Sequence, residues 1–451
     1  MTPADDAANP HRPQEHGAER EHGAEREHAV EQDHGAEQVT SPEQVHDGAH
    51  DQVGPEDVRA AAQILRGVAL RTPVESSRAL SAIAGGPVLL KCENLQRAGS
   101  FKIRGAYVRM ARMTDAEKER GVVAASAGNH AQGVALAARL LGVRATVYMP
   151  AGAALPKVAA TQEYGAEVRT AGTSVDEALE AARDHAAETG AVLIHPFDHP
   201  DVVAGQGTIA LEILEQVPDV RTIIVPVGGG GLAAGVVAAL GDDHPDVRVV
   251  GVQAAGAAAY PASLRAGRPI PAGRLATMAD GIAVGRPGDV PFALLRDHHV
   301  EVRTVSEEDL SRALLLMAER AKLLVEPSGA AGVAAVMVGG APLETPAVVI
   351  LSGGNIDPLV LLRVVRHGLA SAGRYLAMRV RIDDRPGALA ALLADLAATG
   401  GNVMEVGHVR TATDLALDEV EIGVQVETRG PVHCSQVLDH LRAAGYRVIA
   451  S

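Results

Sequence analysis

The sequence predicts an α/β fold, with a large domain built on a mostly parallel sheet and a small β-α-β-β-α-β unit after it. Three observations predict it. Residues 55–370 alternate helical and strand-like patterns. Within them, short continuous apolar runs end in glycine-rich turns, as strands buried on both faces do. A break at Ser371-Ala372-Gly373 then gives way to a ferredoxin-like succession over 375–451.

The elements follow in chain order. Residues 1–52 begin with a hexad, Glu15-His16-Gly17-Ala18-Glu19-Arg20, which recurs from Glu21 and decays from Glu27 and Asp33. The tail is acidic and nearly free of large apolar residues, so it is expected to be disordered. Its histidines His16, His22, His28 and His34 invite a metal reading. A six-residue step, however, does not align side chains on one helical face. Apolar runs at 88–90, 122–125, 145–148, 223–225, 249–252 (ending at Gln253) and 348–351 read as buried strands. Thr114-Asp115-Ala116-Glu117 is a capping-box pattern, and 307–324 has helical period behind Ser306. The C-terminal unit reads as strand 375–382, a helix after Arg385-Pro386-Gly387, strands 402–410 and 420–426, a helix 432–444 and a strand 446–450. The expected domains are a 1–52 tail, a 53–372 α/β domain and a 375–451 ferredoxin-like domain.

Composition narrows the function. Of 451 residues 47% are apolar but only 2% aromatic, with no Trp, so the core must be Ala, Val, Leu and Ile. Phe101, one of three Phe, is then conspicuous. The net charge is −15, and residues 1–50 hold 12 acidic against 3 basic residues, so no basic groove for nucleic acid is expected. Two cysteines cannot build a disulfide framework, which points to a reducing cytosol. No apolar run reaches the roughly 18 residues of a membrane helix, and the N-terminus has no secretory h-region. A soluble cytoplasmic protein without a membrane or nucleic-acid partner is the expectation.

Four motifs carry chemistry. Ser100-Phe101-Lys102-Ile103-Arg104-Gly105 places a lysine in the first turn of a helix, with Ser100 as the expected N-cap and Phe101 as a flat apolar wall. An imine-forming lysine needs such fixing and partial burial; taken alone, the segment reads rather as a surface lysine on an amphipathic helix. Gly228-Gly229-Gly230-Gly231 joins a strand to an Ala-rich helix from Leu232, offering backbone N–H groups to a phosphate. A tight turn is the plainer alternative, though four glycines exceed its needs. Gly229-Gly230-Gly231-Leu232-Ala233-Ala234 also satisfies G-x-G-x-x-A, but the next strand ends at Gln253 rather than an acidic residue, which weakens a dinucleotide reading. Ser126-Ala127-Gly128-Asn129-His130 can aim Ser, N–H groups and Asn129 at a carboxylate or phenolic oxygen, and Ser352-Gly353-Gly354-Asn355 puts a hydroxyl at a strand end. Either loop alone could be a polar turn.

In this order the four motifs resemble the fold-type II (tryptophan synthase β-like) pyridoxal-phosphate enzymes, specifically the serine/threonine dehydratases, or threonine ammonia-lyases. The resemblance spans about 55–370. It extends to Lys91-Cys92-Glu93-Asn94-Leu95-Gln96, Asp280-Gly281-Ile282-Ala283 and Glu326-Pro327-Ser328-Gly329-Ala330. It implies two α/β subdomains with pyridoxal 5'-phosphate held between them. By the same resemblance, Lys102 links covalently to the cofactor and moves the α-proton, Phe101 packs on its ring and Asn129 bonds the ring hydroxyl. Gly228, Gly229, Gly230, Gly231 and Leu232 hold the phosphate, and Ser352 meets the pyridine nitrogen. Ser126, Ala127, Gly128, Asn129 and His130 grip the substrate carboxylate. The implied reaction converts L-threonine to 2-oxobutanoate and ammonia, and L-serine to pyruvate, in isoleucine biosynthesis or threonine catabolism.

Serine racemases share the fold, but in them a second serine follows the first in this loop, where this chain has Ala127. Racemisation is therefore expected to be poor. Serine racemase and hydroxyaspartate dehydratase remain the enzyme alternatives, and an amino-acid sensor the non-enzyme one. The segment Gln253-Ala254-Ala255-Gly256-Ala257-Ala258-Ala259-Tyr260 offers no carboxylate for the family's divalent metal, so no metal site is expected there. Residues 375–451 resemble an ACT domain, with Asp383-Asp384-Arg385-Pro386-Gly387-Ala388-Leu389 as its first strand–helix turn. The resemblance implies an amino-acid effector bound between paired domains near Gly387, Ala388 and Asn402, and a homodimer or homotetramer.

Overall fold

The apolar runs become strands where both faces are covered. The structure, a computed structural model, describes residues 53–340, 342–410 and 415–450. The histidine repeat with His16, His22, His28 and His34 lies outside the described residues.

In chain order the strands are β1 (Val74–Ser76), β2 (Val88–Lys91), β3 (Val122–Ala125), β4 (Ala145–Met149), β5 (Glu167–Thr170), β6 (Val192–Leu193) and β7 (Thr222–Pro226). They continue as β8 (Arg248–Ala254), β9 (Glu301–Val305), β10 (Ala347–Ile350), β11 (Tyr375–Asp383), β12 (Asn402–Val409), β13 (Glu419–Glu427) and β14 (Arg447–Ala450). A six-stranded sheet has the order β1-β2-β10-β7-β8-β9, parallel except for β1. A second sheet, β5-β4-β3-β6, is wholly parallel. Such sheets need helices on both faces, and β3, β7 and β10 are buried along their whole length.

The helix Lys102–Ala111 lies between the helices Asn129–Leu141 and Pro200–Gln216, and glycines bring the backbones together. A Cβ at Gly205 would lie 2.7 Å from the Cα of Gly105, and one at Gly133 would lie 3.0 Å from the carbonyl carbon of Lys102. Below the same helix sits a buried charge cluster. Arg104 is 1% exposed and bonds Glu93 (Nη2–Oε1 2.8 Å) and Glu212 (Nη1–Oε1 2.7 Å). Lys91 reaches the other oxygen of Glu212 at 2.6 Å and the carbonyl of Thr72 at 2.8 Å. Two cations thus meet two carboxylates, which satisfies groups that would be costly to bury alone.

Two local expectations change. Ser100 does not cap the helix. Phe101 holds the cap position with helical φ, and the Ser100 hydroxyl is buried without a partner among the described residues while its backbone bridges Gly353. The expected helix 307–324 runs only over Glu307–Leu316, capped by Ser306, and then widens into a π turn, Met317–Ala321. That turn lets Leu324 and Val325 leave the helix and deliver Glu326 to the cleft.

The C-terminal sheet, β12-β13-β11-β14, is antiparallel and carries the helices Ala388–Ala398 and Pro431–Ala443. Its core is aliphatic, centred on Val380, Leu392, Ile422 and Leu441. The helix Pro358–Ser371 leads into it, and Thr428 Oγ1 donates to the Gly373 carbonyl at 2.7 Å. Among the described residues no helix is long and apolar enough to cross a membrane.

Candidate active site

Strand ends and helix starts build a cavity of about 400 Å³ between the two parallel sheets. Lys102, Phe101, the 126–130 loop, Gly228, Gly229, Gly230, Gly231, Leu232 and Ser352 all line it. The structure therefore brings together every residue expected of the catalytic centre.

Lys102 starts its helix, and its Nζ donates to the Pro196 carbonyl at 3.0 Å, 5.1 Å from the centre of the Phe101 ring. Burial lowers its pKa to about 8, against a smaller opposing pull from Glu326. The amine is thus closer to its neutral, nucleophilic form than an exposed lysine.

At the far end of the cavity, the helix Gly231–Leu240 starts immediately after β7 and the glycine turn. The N–H groups of residues 229–232 donate to no group among the described residues. Such unpaired donors at a helix N-terminus suit an anion. Gly230 has φ +102°, and a Cβ there would fall 1.9 Å from the Tyr260 hydroxyl, which itself donates to the Gly229 carbonyl at 3.1 Å. Both the turn and its packing therefore demand glycine.

In the 126–130 loop, Gly128 N–H is turned inward onto Ser126 Oγ at 3.1 Å, so it is not among the donors offered to a ligand. Asn129 is held at both ends: its amide donates to Glu326 Oε1 at 2.6 Å, and its oxygen accepts from Asn355 Nδ2 at 2.9 Å. One Asn129 N–H stays available to the cavity. His130 places Nε2 2.7 Å from the Ile194 carbonyl, so that nitrogen carries the proton, and burial lowers its pKa to about 3. It is a neutral donor fixed to the backbone. His195 is neutral as well, lowered to about 4 by burial. Ala127 presents only a methyl group.

Two further lining residues have no role that the sequence assigns. Glu326 is 2% exposed, and burial, helped by Asp280, pushes its carboxyl up to about 7. Lys157, on the helix Leu155–Glu163, pairs with Asp280 across the cleft at 2.5 Å. Glu326 has a signal, a lone carboxylate closing the apolar run Leu323-Leu324-Val325. Lys157 has none, since its partner lies 123 residues away.

These groups fit pyridoxal phosphate. There is a lysine of lowered pKa for an aldehyde and unpaired N–H groups for a phosphate. The Ser352 hydroxyl has no hydrogen bond among the described residues and is open to a ring nitrogen. No group of three or more His, Cys, Asp or Glu among the described residues is placed to hold a metal ion.

The effector residues lie apart. Gly387 starts the helix Ala388–Ala398 and Asn402 follows its far end, bonding Glu427 at 3.2 Å. The eleven-residue helix between them is about 16 Å long and they flank its opposite ends, so one copy does not join them at one site.

Residues 65–353 match the family model described as pyridoxal-phosphate dependent enzyme. The chain is 45% identical over 393 residues to an L-threonine ammonia-lyase of Thermotoga maritima, covering 87% of this chain and 98% of that protein. An alignment of that length necessarily reaches past residue 353 into the C-terminal sheet. Among solved structures, a threonine deaminase from T.th. superposes with a TM-score of 0.64 at 42% identity, covering 67% of this chain and 99% of that one. Maize serine racemase superposes at 0.66 with 36% identity, covering 71% and 98%.

Proposed function

The chain belongs to the family of pyridoxal-phosphate-dependent enzymes, and from that premise we infer that it is a threonine ammonia-lyase. It converts L-threonine to 2-oxobutanoate and ammonia and acts on L-serine to give pyruvate. The observation that carries the reading is the pairing of a buried, low-pKa Lys102 with a loop whose second residue, Ala127, has no transferable side-chain proton.

Bound pyridoxal phosphate supplies an aldehyde for the substrate amine and a sink for the electrons left when the α-proton departs. The protein supplies the rest. The N–H groups of 229–232 hold the phosphate, and Asn129, oriented by Glu326 and Asn355, bonds the ring hydroxyl. Ser352, a neutral partner, would leave a ring nitrogen beside it unprotonated, a state that favours elimination over transamination. Ser126 and the loop N–H groups orient the substrate carboxylate. Lys102 Nζ, free once the substrate amine has taken its place, would take the α-proton; the β-hydroxyl would depart as water, and hydrolysis of the released enamine would give the 2-oxo acid and ammonia. Ala127 cannot return a proton from the opposite face, which favours elimination over the racemase reading.

Residues 375–451 read best as an ACT-like regulatory domain. The separation of Gly387 from Asn402 within one copy supports an effector site shared between two copies, and hence a homo-oligomer. A cytoplasmic location agrees with the composition.

The test is product analysis of the holoenzyme with L-threonine, L-serine and 3-hydroxyaspartate, with and without isoleucine or valine. Ammonia and a 2-oxo acid in equal amounts from threonine are expected, and their absence ends the reading. Borohydride reduction should fix the cofactor on the Lys102 peptide.

A further inference from the structure

We infer that Lys157 is the counter-cation of the substrate's α-carboxylate, kept in reserve by Asp280 until substrate arrives; this rests on the threonine ammonia-lyase reading. The charge inventory of the cavity leads there. Its lining holds two lysines and no arginine among the described residues. Lys102 is committed to the cofactor and to the α-proton. His130 and His195 are neutral, with pKa values lowered to about 3 and about 4 by burial. Among the described residues of the lining, Lys157 is therefore the remaining full positive charge for a substrate that arrives as a carboxylate.

Its position agrees. A Cβ built on Gly128 would meet Lys157 Nζ at 3.7 Å and nothing nearer, so the ammonium borders the 126–130 loop on its open side. Loop N–H groups and a lysine beside them form a mixed carboxylate site, stronger than the neutral donors alone.

The resting partner is suited to exchange. Lys157 is 12% exposed and Asp280 61%, so the cation is sheltered while its partner is mostly in water. When a substrate carboxylate takes over Lys157, Asp280 rotates outward and is solvated. The charge on Lys157 stays paired throughout, so the swap costs little. There is room for it: Lys157, Asp280 and Glu326 also border a neighbouring groove of about 380 Å³ along the helix Pro358–Ser371.

The experiment compares K157M, K157R and D280N with the wild-type holoenzyme. It measures KM and kcat for L-threonine, and the Kd of the unreactive L-2-aminobutyrate from the change in cofactor absorbance. K157M is expected to raise KM and Kd about tenfold or more, with kcat within about threefold, and K157R to restore most of the affinity. D280N frees the lysine from its competitor and is expected to lower both constants. If D280N raises KM and Kd as K157M does, the pair is only a strap across the cleft and the inference is overturned. Unchanged constants in K157M overturn it too. Should the wild-type enzyme release no ammonia from threonine yet bind L-2-aminobutyrate through Lys157, the reaction is misread and the carboxylate assignment survives.

Discussion

Asn129 donates its amide to Glu326 at 2.6 Å, and Glu326 is a carboxyl that burial pushes up to about 7. The residue expected to touch the cofactor's ring oxygen is thus oriented by a group that changes charge near neutrality. Deprotonated, Glu326 holds Asn129 by a charge-assisted bond; protonated, it holds it by a weaker one.

Glu326 makes stability depend on pH. A carboxyl raised from 4.5 to about 7 binds its proton more tightly when folded than when unfolded, so stability falls as pH rises between those values. E326Q keeps the acceptor for Asn129 and removes the charge. Denaturant unfolding at pH 4.5 and pH 8 should show a decline in the wild type of up to about 3 kcal/mol that the variant lacks. Equal pH dependence in both proteins would contradict the burial argument.

The cluster under the Lys102 helix predicts a stability loss confined to broken pairs. E93A leaves Arg104, 1% exposed, short of one of its two carboxylates and should cost about 3–5 kcal/mol in urea unfolding. Replacing both residues, as E93L with R104M, should cost much less. Burial alone would raise the Glu93 pKa, but Arg104 outweighs it and holds it low. That stabilisation is present at neutral pH and disappears as pH falls below the ordinary carboxylate range.

G230A should destabilise the turn by about 1–2 kcal/mol through its left-handed φ alone, with the collision against Tyr260 added. The same variant should weaken pyridoxal-phosphate binding, read by equilibrium titration of absorbance. Y260F removes the colliding oxygen, so the double variant should recover only part of the lost stability. Full recovery would mean that φ contributes nothing.

A127S returns a proton-bearing group to the loop. D-serine formation from L-serine, measured against pyruvate, should rise relative to the wild type. An unchanged ratio would place the limit on racemisation elsewhere in the cavity.

Much of this was legible in the sequence, because three of the four catalytic motifs, at 126–130, 228–231 and 352–355, sit where an apolar strand stops, and strand ends are where such sheets leave backbone free. What escaped was what lacks a local signal. β1, β5 and β9 are short edge or near-edge strands with exposed polar residues such as Glu75, Glu167 and Thr304, so no apolar run announces them. Ser100 looks like a cap by residue type, but its backbone is drawn to Gly353, more than 250 residues on. The π turn at Met317–Ala321 keeps a helical pattern while changing its pitch. Lys157 acquires meaning only through Asp280.

The glycines flanking the Lys102 helix have one more consequence. Gly133 and Gly205 let two neighbouring helices press on its backbone rather than on its side chains, which holds the helix tightly between them. Only the torsions of the lysine side chain are then left to be ordered when the amine meets its aldehyde. The lysine's share of that ordering is met in folding, so once the glycine turn holds the aldehyde the amine acts as a reagent at high effective molarity.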